Sequence, residues 1–369
     1  MKICFLADAN HPNTQNWVKY FANNLGHEVY LLTFEKSDKD LGKTKEIIIE
    51  SIFKNTKFKY LVSIQKTKNI LSKINPDILI GYRPTSYGFL AACTGFHPLV
   101  IALQGQTIVF PTNSKIKKLF SGFAIRKSDL INSWADHMSA DIIKLGLNNK
   151  KKIKVFPRGV RIPKNKIEKK VSQDLVMVST RGLVPGYRFD QIISALPLVA
   201  KNVDIFKYKI SGDGKDRERL QTLVKKLGME KYVEFLGKIE YELAMNLLKT
   251  SHIYVSAVPT DGVSASLLEA MAYGVFPVVT DNTPNRIWIE DGVNGFLFPH
   301  GDISALAEKI TKAFVMKDLR MKAAEINYQI VKEKADWDQN MKKMETQYLE
   351  LVERFNRAGI KNKNLDNIE

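Results

Sequence analysis

The chain has 369 residues, 56 Lys and Arg against 39 Asp and Glu, and a formal net charge of +17. That length exceeds one ordinary core and fits two domains, and 44% hydrophobic content with regular turn punctuation excludes a disordered chain. The only cysteines, Cys4 and Cys93, sit in apolar runs and read as buried free thiols of a reducing compartment rather than a disulfide or metal site.

In chain order, KICFLA reads as a strand, residues 15–25 as a helix and EVYLLTF as a second strand after the turn at Gly26 and His27. The start has one Lys and a short apolar run closed by Asp8, too short and too acidic for a signal peptide. No segment approaches the ~20 apolar residues of a membrane span, so the expected compartment is the cytoplasm. A third strand at 47–49, a helix to about Ile74, the strand DILIGY, a helix over 87–95, the strand LVIAL, DLINS, a helix over 135–145 and IKVFP complete the first half. Residues 158–174, polar, basic and carrying a proline, read as a linker. The second half repeats the alternation. LVMVST, FKYKIS, YVEFLG, HIYVSAV and FPVVT are strands, separated by helices near 189–200, 215–227, 241–249 and after Asp261; from Asp302 the chain is helical to about Phe355 and then polar. Short apolar runs alternating with helix-period segments predict parallel sheets covered by helices, twice over.

The charge is unevenly placed. Residues 1–170 hold 29 Lys and Arg against 12 Asp and Glu, and residues 171–369 hold 27 against 27. Clusters such as KIKK at 115–118 suit an anionic membrane surface or an acidic substrate, although a Lys-rich composition also yields merely solvated faces. Nucleic acid is not an expected partner, because no aromatic-bearing basic module accompanies the charge.

The most informative stretch is VPTDGVSASLLEAMAYGVFPVV, residues 258–279. It closes an apolar run in a turn, opens a helix at small residues and sets Asp261 and Glu269 eight positions apart. The spacing puts Glu269 a little over two turns along the helix and Asp261 in the turn before it. One acid at a helix start and another along its face can hold a polyhydroxylated ligand while the unpaired amides hold its phosphates. Read alone, Asp261 could equally be a cap and Glu269 a solvated carboxylate.

The string D-G-V-S-A-S-L-L-E-A-M-A-Y-G-V-F-P-V-V resembles the signature E-G-F-G-x-x-x-x-E-A-M-A-x-G-x-P-V-V of retaining glycosyltransferases of family four, in the subset reading D-G-x-S-x-S-L-L-E-A-M-A. The resemblance extends from residue 1 to about 355. It implies the α/β GT-B fold: two doubly wound Rossmann-like domains facing a central cleft, with a C-terminal helix crossing back. The boundaries that follow are 1–160 for an acceptor-binding domain, 161–174 for a linker, 175–335 for a donor-binding domain, 336–355 for the returning helix, begun by Trp337 in a packing role, and 356–369 for a polar tail.

By the same resemblance, Glu269 accepts from the ribose hydroxyls and Asp261, which replaces the usual Glu, stands near the donor sugar. Ser264, Ala265 and Ser266 then turn backbone amides to the pyrophosphate and sugar. STRGLVPGYRFD, at 179–190, is similar to the family's diphosphate clamp: Arg181 fits its Arg, Tyr187 falls on its Lys, and Arg188 follows as the replacement cation. Gly212 in SGDGK and Gly237 with Lys238 in FLGKI are placed on the nucleotide side. Asn13 and Thr14, in a first loop without the usual paired glycines, are expected on the acceptor side. There too fall Gln104, where many relatives carry His, and Arg158, where Asn is usual. His11 is read as either an acceptor ligand or a loop imidazole, His97 as structural, and Asn294 with Gly295 as a turn.

The implied activity is a metal-independent retaining transfer of a hexose-type sugar from a nucleoside diphosphate to a glycan or lipid-linked acceptor in cell-surface polysaccharide or glycolipid synthesis. No cofactor is expected beyond the nucleotide-sugar substrate, and the inner face of the plasma membrane is a candidate surface for the basic half. A non-catalytic nucleotide-sugar-binding subunit and a nucleotide-sugar epimerase of the same fold are the alternative classes.

Overall fold

The computed structural model describes residues 1–53, 58–103, 114–144, 152–157, 159–165, 167 and 175–359. By internal contacts the chain divides into two units, residues 1–156 with 342–369, and residues 157–341.

In the first unit, β1 (Lys2–Leu6) leads to α1 (Pro12–Lys19), which continues through one π turn at Tyr20–Asn24 into β2 (Glu28–Thr33) and β3 (Lys45–Ile48). Then come α2 (Phe58–Val62), α3 (Ile64–Ile74), β4 (Ile78–Tyr82), α4 (Tyr87–Cys93), β5 (Leu99–Ala102), α5 (Lys115–Lys127), β6 (Leu130–Ser133), α6 (Asp136–Lys144) and β7 (Ile153–Val155). The strands form one parallel sheet in the order β3-β2-β1-β4-β5-β6-β7. Ile3 to Leu6 and all of β4 and β5 are buried, which is why they read as unbroken apolar runs instead of an alternation. Helix α1 starts at Pro12, whose missing amide costs nothing at a first turn, with the His11 ring accepting from the Asn13 amide. Helix α5 is absent from the sequence reading. Its basic start KIKK drew attention as a charge cluster, and its apolar stripe is weak.

The second unit runs β8 (Leu175–Thr180), a 3₁₀ turn at Pro185–Tyr187, α7 (Phe189–Val199), β9 (Phe206–Ser211), α8 (Arg217–Lys226), β10 (Val233–Gly237), α9 (Tyr241–Thr250) and β11 (Ile253–Ser256). It continues through α10 (Ala265–Ala272), β12 (Phe276–Thr280), α11 (Thr283–Arg286), β13 (Phe296–Phe298), α12 (Ile303–Val315), α13 (Lys317–Lys334) and α14 (Trp337–Arg357). The sheet is parallel in the order β10-β9-β8-β11-β12-β13. Its core gathers Leu196, Tyr208, Val255, Phe276, Phe298 and Ile310, each at most 1% exposed. The short β13 went unread because three residues are too few to show a period. Asn294 just before it does form a structural turn: it is buried, and its amide donates to the Trp288 carbonyl and to Asn327.

Both sheets reverse direction beside their first strand, between β1 and β4 and between β8 and β11. Such reversal points leave a crevice at the carboxyl ends of the strands, where doubly wound sheets take their ligands. Two doubly wound parallel sheets on one chain are what the GT-B expectation calls for.

The long helical tail is three helices, broken at Met316 and at Ala335 and Asp336. Asp336 bridges to Val160, and Trp337 donates its amide to the Val160 carbonyl, so the start of α14 is tied to residues next to Pro157. Its later residues belong to the first unit. Tyr348 is fully buried there with its ring 5.9 Å from that of Phe21, and Glu345 bonds the His27 ring at 2.7 Å.

Candidate functional site

The reversal point of the second unit is bounded by the loop after β8, which begins with Arg181, and the loop after β11, which carries Asp261 into α10. Arg181 donates through Nη2 to the Asp261 carboxylate at 2.8 Å and through Nη1 to the Ser264 hydroxyl at 3.2 Å. Its guanidinium lies over the Tyr187 ring, 4.1 Å from the centroid, adding a cation–π contact. Ser264 caps α10, its Oγ accepting from the Leu267 amide. Behind it, the Ser266 hydroxyl bonds Tyr254 at 2.7 Å, and Asp261 turns its other oxygen to the Gly262 amide. Burial alone would favour a neutral guanidine, but Tyr254, Asp261 and Tyr187 outweigh it, so Arg181 keeps its charge more firmly than an ordinary arginine.

Two glycines set where Arg181 stands. A Cβ on Gly212 would fall 2.0 Å from the Arg181 carbonyl oxygen, and one on Gly214 would fall 2.2 Å from that of Leu183. Both contacts are with backbone, so only glycine lets the turn after β9 press against the loop after β8. Gly212 also donates to the Gly237 carbonyl at 2.8 Å. Lys238, next to it, is exposed.

The structure thus brings Arg181, Asp261, Ser264 and Ser266 into one bonded cluster with Ala265 at the helix start, and seats Gly212 and Gly237 beneath it. Glu269 is partly exposed on α10, about 7 Å along the helix axis from Ser264. Arg188 goes elsewhere. It has left-handed backbone at φ 52°, and it grips Asp190 with both ends of its fork, at 3.1 and 3.0 Å. Burial works against the charge of Asp190, yet Arg188, helped by Arg219, holds that carboxyl below its usual range. Tyr187 and Tyr254 were missed. Tyr187 looked like a mismatch in a Lys position, and no sequence signal announces a ring stacked beneath a guanidinium.

In the first unit, Thr14 lies on α1 at the matching reversal point. It lines a cavity of about 70 Å³ with Asp8, His11, Tyr82, Arg83 and Ser86 among its neighbours. Thr14 and Tyr82 are 1% and 2% exposed, and among the described residues their hydroxyls have no hydrogen-bond partner. Arg83, also unforeseen, has left-handed backbone at φ 60°, an uncommon conformation for a residue with a side chain. Asn13 is the second residue of the same helix, its amide taken by the His11 ring. Gln104 and Arg158 lie outside the described residues. His97 is structural as read: its ring bonds Asp129 at 2.6 Å.

Comparison with known proteins fits this layout. Residues 161–330 match the family model described as glycosyl transferases group 1, and residues 2–134 match that of glycosyl transferase 4-like domains. Both matched models are glycosyltransferase domains, and the two sheets are those of the GT-B class. Within that class, the cluster around Arg181 lies in the group 1 domain and the Thr14 cavity in the 4-like domain.

The GtfA subunit of UDP-N-acetylglucosamine–peptide N-acetylglucosaminyltransferase of Streptococcus agalactiae is 22% identical over 86% of this chain and 66% of its own. The lipopolysaccharide core biosynthesis glycosyltransferase LpsE of Rhizobium meliloti is 24% identical over 75% of this chain and 77% of its own. The alignments span from 38% to 66% of the lengths of the first curated relatives. The crystal structure of Anabaena HepE in complex with UDP superposes with a TM-score of 0.77 at 17% identity, over 95% of this chain and 100% of that one.

Proposed function

We propose that this chain is a retaining, metal-independent hexosyltransferase that moves a sugar from a nucleoside diphosphate, with UDP the first candidate, to a glycan or lipid-linked acceptor of cell-surface polysaccharide or glycolipid synthesis. The observation that carries the reading is the fixed Arg181 guanidinium at the start of α10. A departing diphosphate needs charge stabilisation in place before the bond breaks, and a guanidinium already oriented by Asp261, Ser264 and Tyr187 supplies it without reorganising. The first-turn amides of α10 add partial positive charge. That UDP-bound and UDP-glucose-bound forms of HepE share this fold supports the choice of donor class.

In this reading Glu269 accepts from the ribose hydroxyls, while Asp261 has two tasks, holding Arg181 and meeting the donor sugar. Gly212 and Gly237 line the nucleotide side with Lys238, and Arg188 stands by as a further cation if Asp190 releases it. The acceptor hydroxyl, held by the first unit, attacks the sugar from the face the diphosphate leaves, and its proton passes to the leaving phosphate. No separate base and no metal then take part.

The test is release of nucleoside diphosphate from a panel of nucleotide sugars, with and without lipid and glycan acceptor pools and with and without chelator. Release from a UDP-hexose that survives chelation is expected. Absence of release with every donor and every acceptor pool would sink the proposal.

A further inference from the structure

The first unit carries a surface that its own core does not explain. Helices α2 and α3, over residues 58–74, hold four lysines and no acid, and α5 holds five cations and no acid. A solvated basic face would set those charges among polar side chains. Here they stand among large apolar ones: Phe58 is 65% exposed, Leu61 41%, Val62 51%, Ile116 62% and Leu119 63%. Helices α2 and α5 both rest on buried rings of α4. Tyr60 of α2 packs edge-on against Tyr87 of α4 at 5.6 Å, and Phe120 of α5 stacks on Phe89 of α4 at 4.0 Å. Leading into α2, Ile52 is 88% exposed.

Apolar groups interleaved with an excess of cations, of which Lys66 meets Glu50 and Lys59 lies over the Phe34 ring, fit a lipid interface better than a protein partner, since the apolar tips reach below the headgroups while ammonium groups meet lipid phosphates. Long lysine stems allow both at once. We propose that this face, carried by α2 and α5, docks the chain on an anionic bilayer by inserting Phe58, Leu61, Ile116 and Leu119. It deepens the lipid-linked acceptor reading above and rests on it for its purpose, though not for its test.

The test is co-sedimentation of the full chain with vesicles of phosphatidylcholine alone and of phosphatidylcholine mixed with phosphatidylglycerol. Binding to the mixed vesicles is expected, reduced but not abolished by salt, because only the ionic part is screened. The double variant Ile116→Ser with Leu119→Ser, and likewise Phe58→Ser with Leu61→Ser, should each lower partitioning on the order of tenfold. Lys115→Gln with Lys118→Gln should lower it about fivefold per lysine. Far-UV circular dichroism and thermal unfolding, both expected to match wild type, show that the variants are folded. Wild type that ignores the mixed vesicles overturns the proposal. So do serine variants that sediment like wild type, and a dimer in solution that the serine variants dissolve. Vesicle binding without sugar turnover would refute the transferase reading and leave this one standing.

Discussion

The two units share a strand order but finish their reversal points in opposite ways. In the second unit the polar groups of the Arg181 cluster bond one another: Arg181 with Asp261 and Ser264, Ser264 with the Leu267 amide of α10, Ser266 with Tyr254. In the first, Thr14 and Tyr82 bury hydroxyls that bond nothing among the described residues. A buried unpartnered polar group carries a desolvation cost of about 1–3 kcal/mol, so Thr14 and Tyr82 leave the first crevice a deficit that a ligand would relieve, whereas beside the satisfied Arg181 cluster only the Thr180 hydroxyl, among the described residues there, lacks a partner. On the proposed function, one end is set before its ligand arrives and the other is completed by it.

The largest break in that contrast should come from Arg181. We expect Arg181→Ala to lower kcat/KM about 10²- to 10³-fold, with Arg181→Lys recovering little, because an ammonium cannot span Asp261 and Ser264 together. Steady-state kinetics with the best donor measures both, and a fully active alanine variant would remove Arg181 from the chemistry. Next comes Gly212→Ala. Its methyl would meet the Arg181 carbonyl at 2.0 Å, so urea unfolding should show a loss of about 2 kcal/mol or more, with Arg181 displaced and donor affinity reduced.

Titration calorimetry should then find that Glu269→Ala weakens donor binding on the order of tenfold. Asp261→Glu, which keeps the charge and lengthens the reach, should cost less. The reverse order would mean that holding Arg181, not the ribose, dominates donor affinity.

Substitution in the first crevice should behave differently. Thr14→Ala and Tyr82→Phe remove hydroxyls that have no partner among the described residues, so stability should hold within about 1 kcal/mol or rise. Acceptor KM should increase while donor affinity stays put, and an unchanged acceptor KM would make these hydroxyls structural oddities.

The smallest effect concerns pH. Burial lowers the pKa of His27, and its bond to Glu345 recovers only part of the shift. The folded chain therefore prefers the neutral ring, and the unfolded chain binds the proton more readily below its ordinary value of 6.5. The stability that His27 contributes is present above that pH and is lost as pH falls through the lowered folded value. Thermal unfolding of wild type and His27→Gln should converge in mild acid.

The alternation of apolar runs and helical segments in the sequence sufficed for two parallel sheets, because fully buried strands such as KICFL and ILIGY leave no other reading. Lys115–Lys127 and Phe296–Phe298 escaped it, one hidden beneath its charge and the other too short for a period. At the site, Arg181, Asp261 and Ser264 were named separately from motif likeness. That they bond one another was not legible, since 80 residues part Arg181 from Asp261. Arg188 shows the converse limit. Its place in the motif suited a phosphate cation, but Asp190, two positions on, occupies it.

The passage of α14 from one core to the other has a practical consequence for anyone wishing to exchange donor specificity between relatives. The second unit is an insertion, not a terminal half: it enters after Phe156 and leaves before Lys342. A graft made with one junction in the basic stretch around 161–174 would carry Tyr348 and Glu345 away with the wrong partner, leaving Phe21 and His27 uncovered. Two junctions, one on each side of the Val160 and Asp336 bridge, would keep each core with the side chains that seal it.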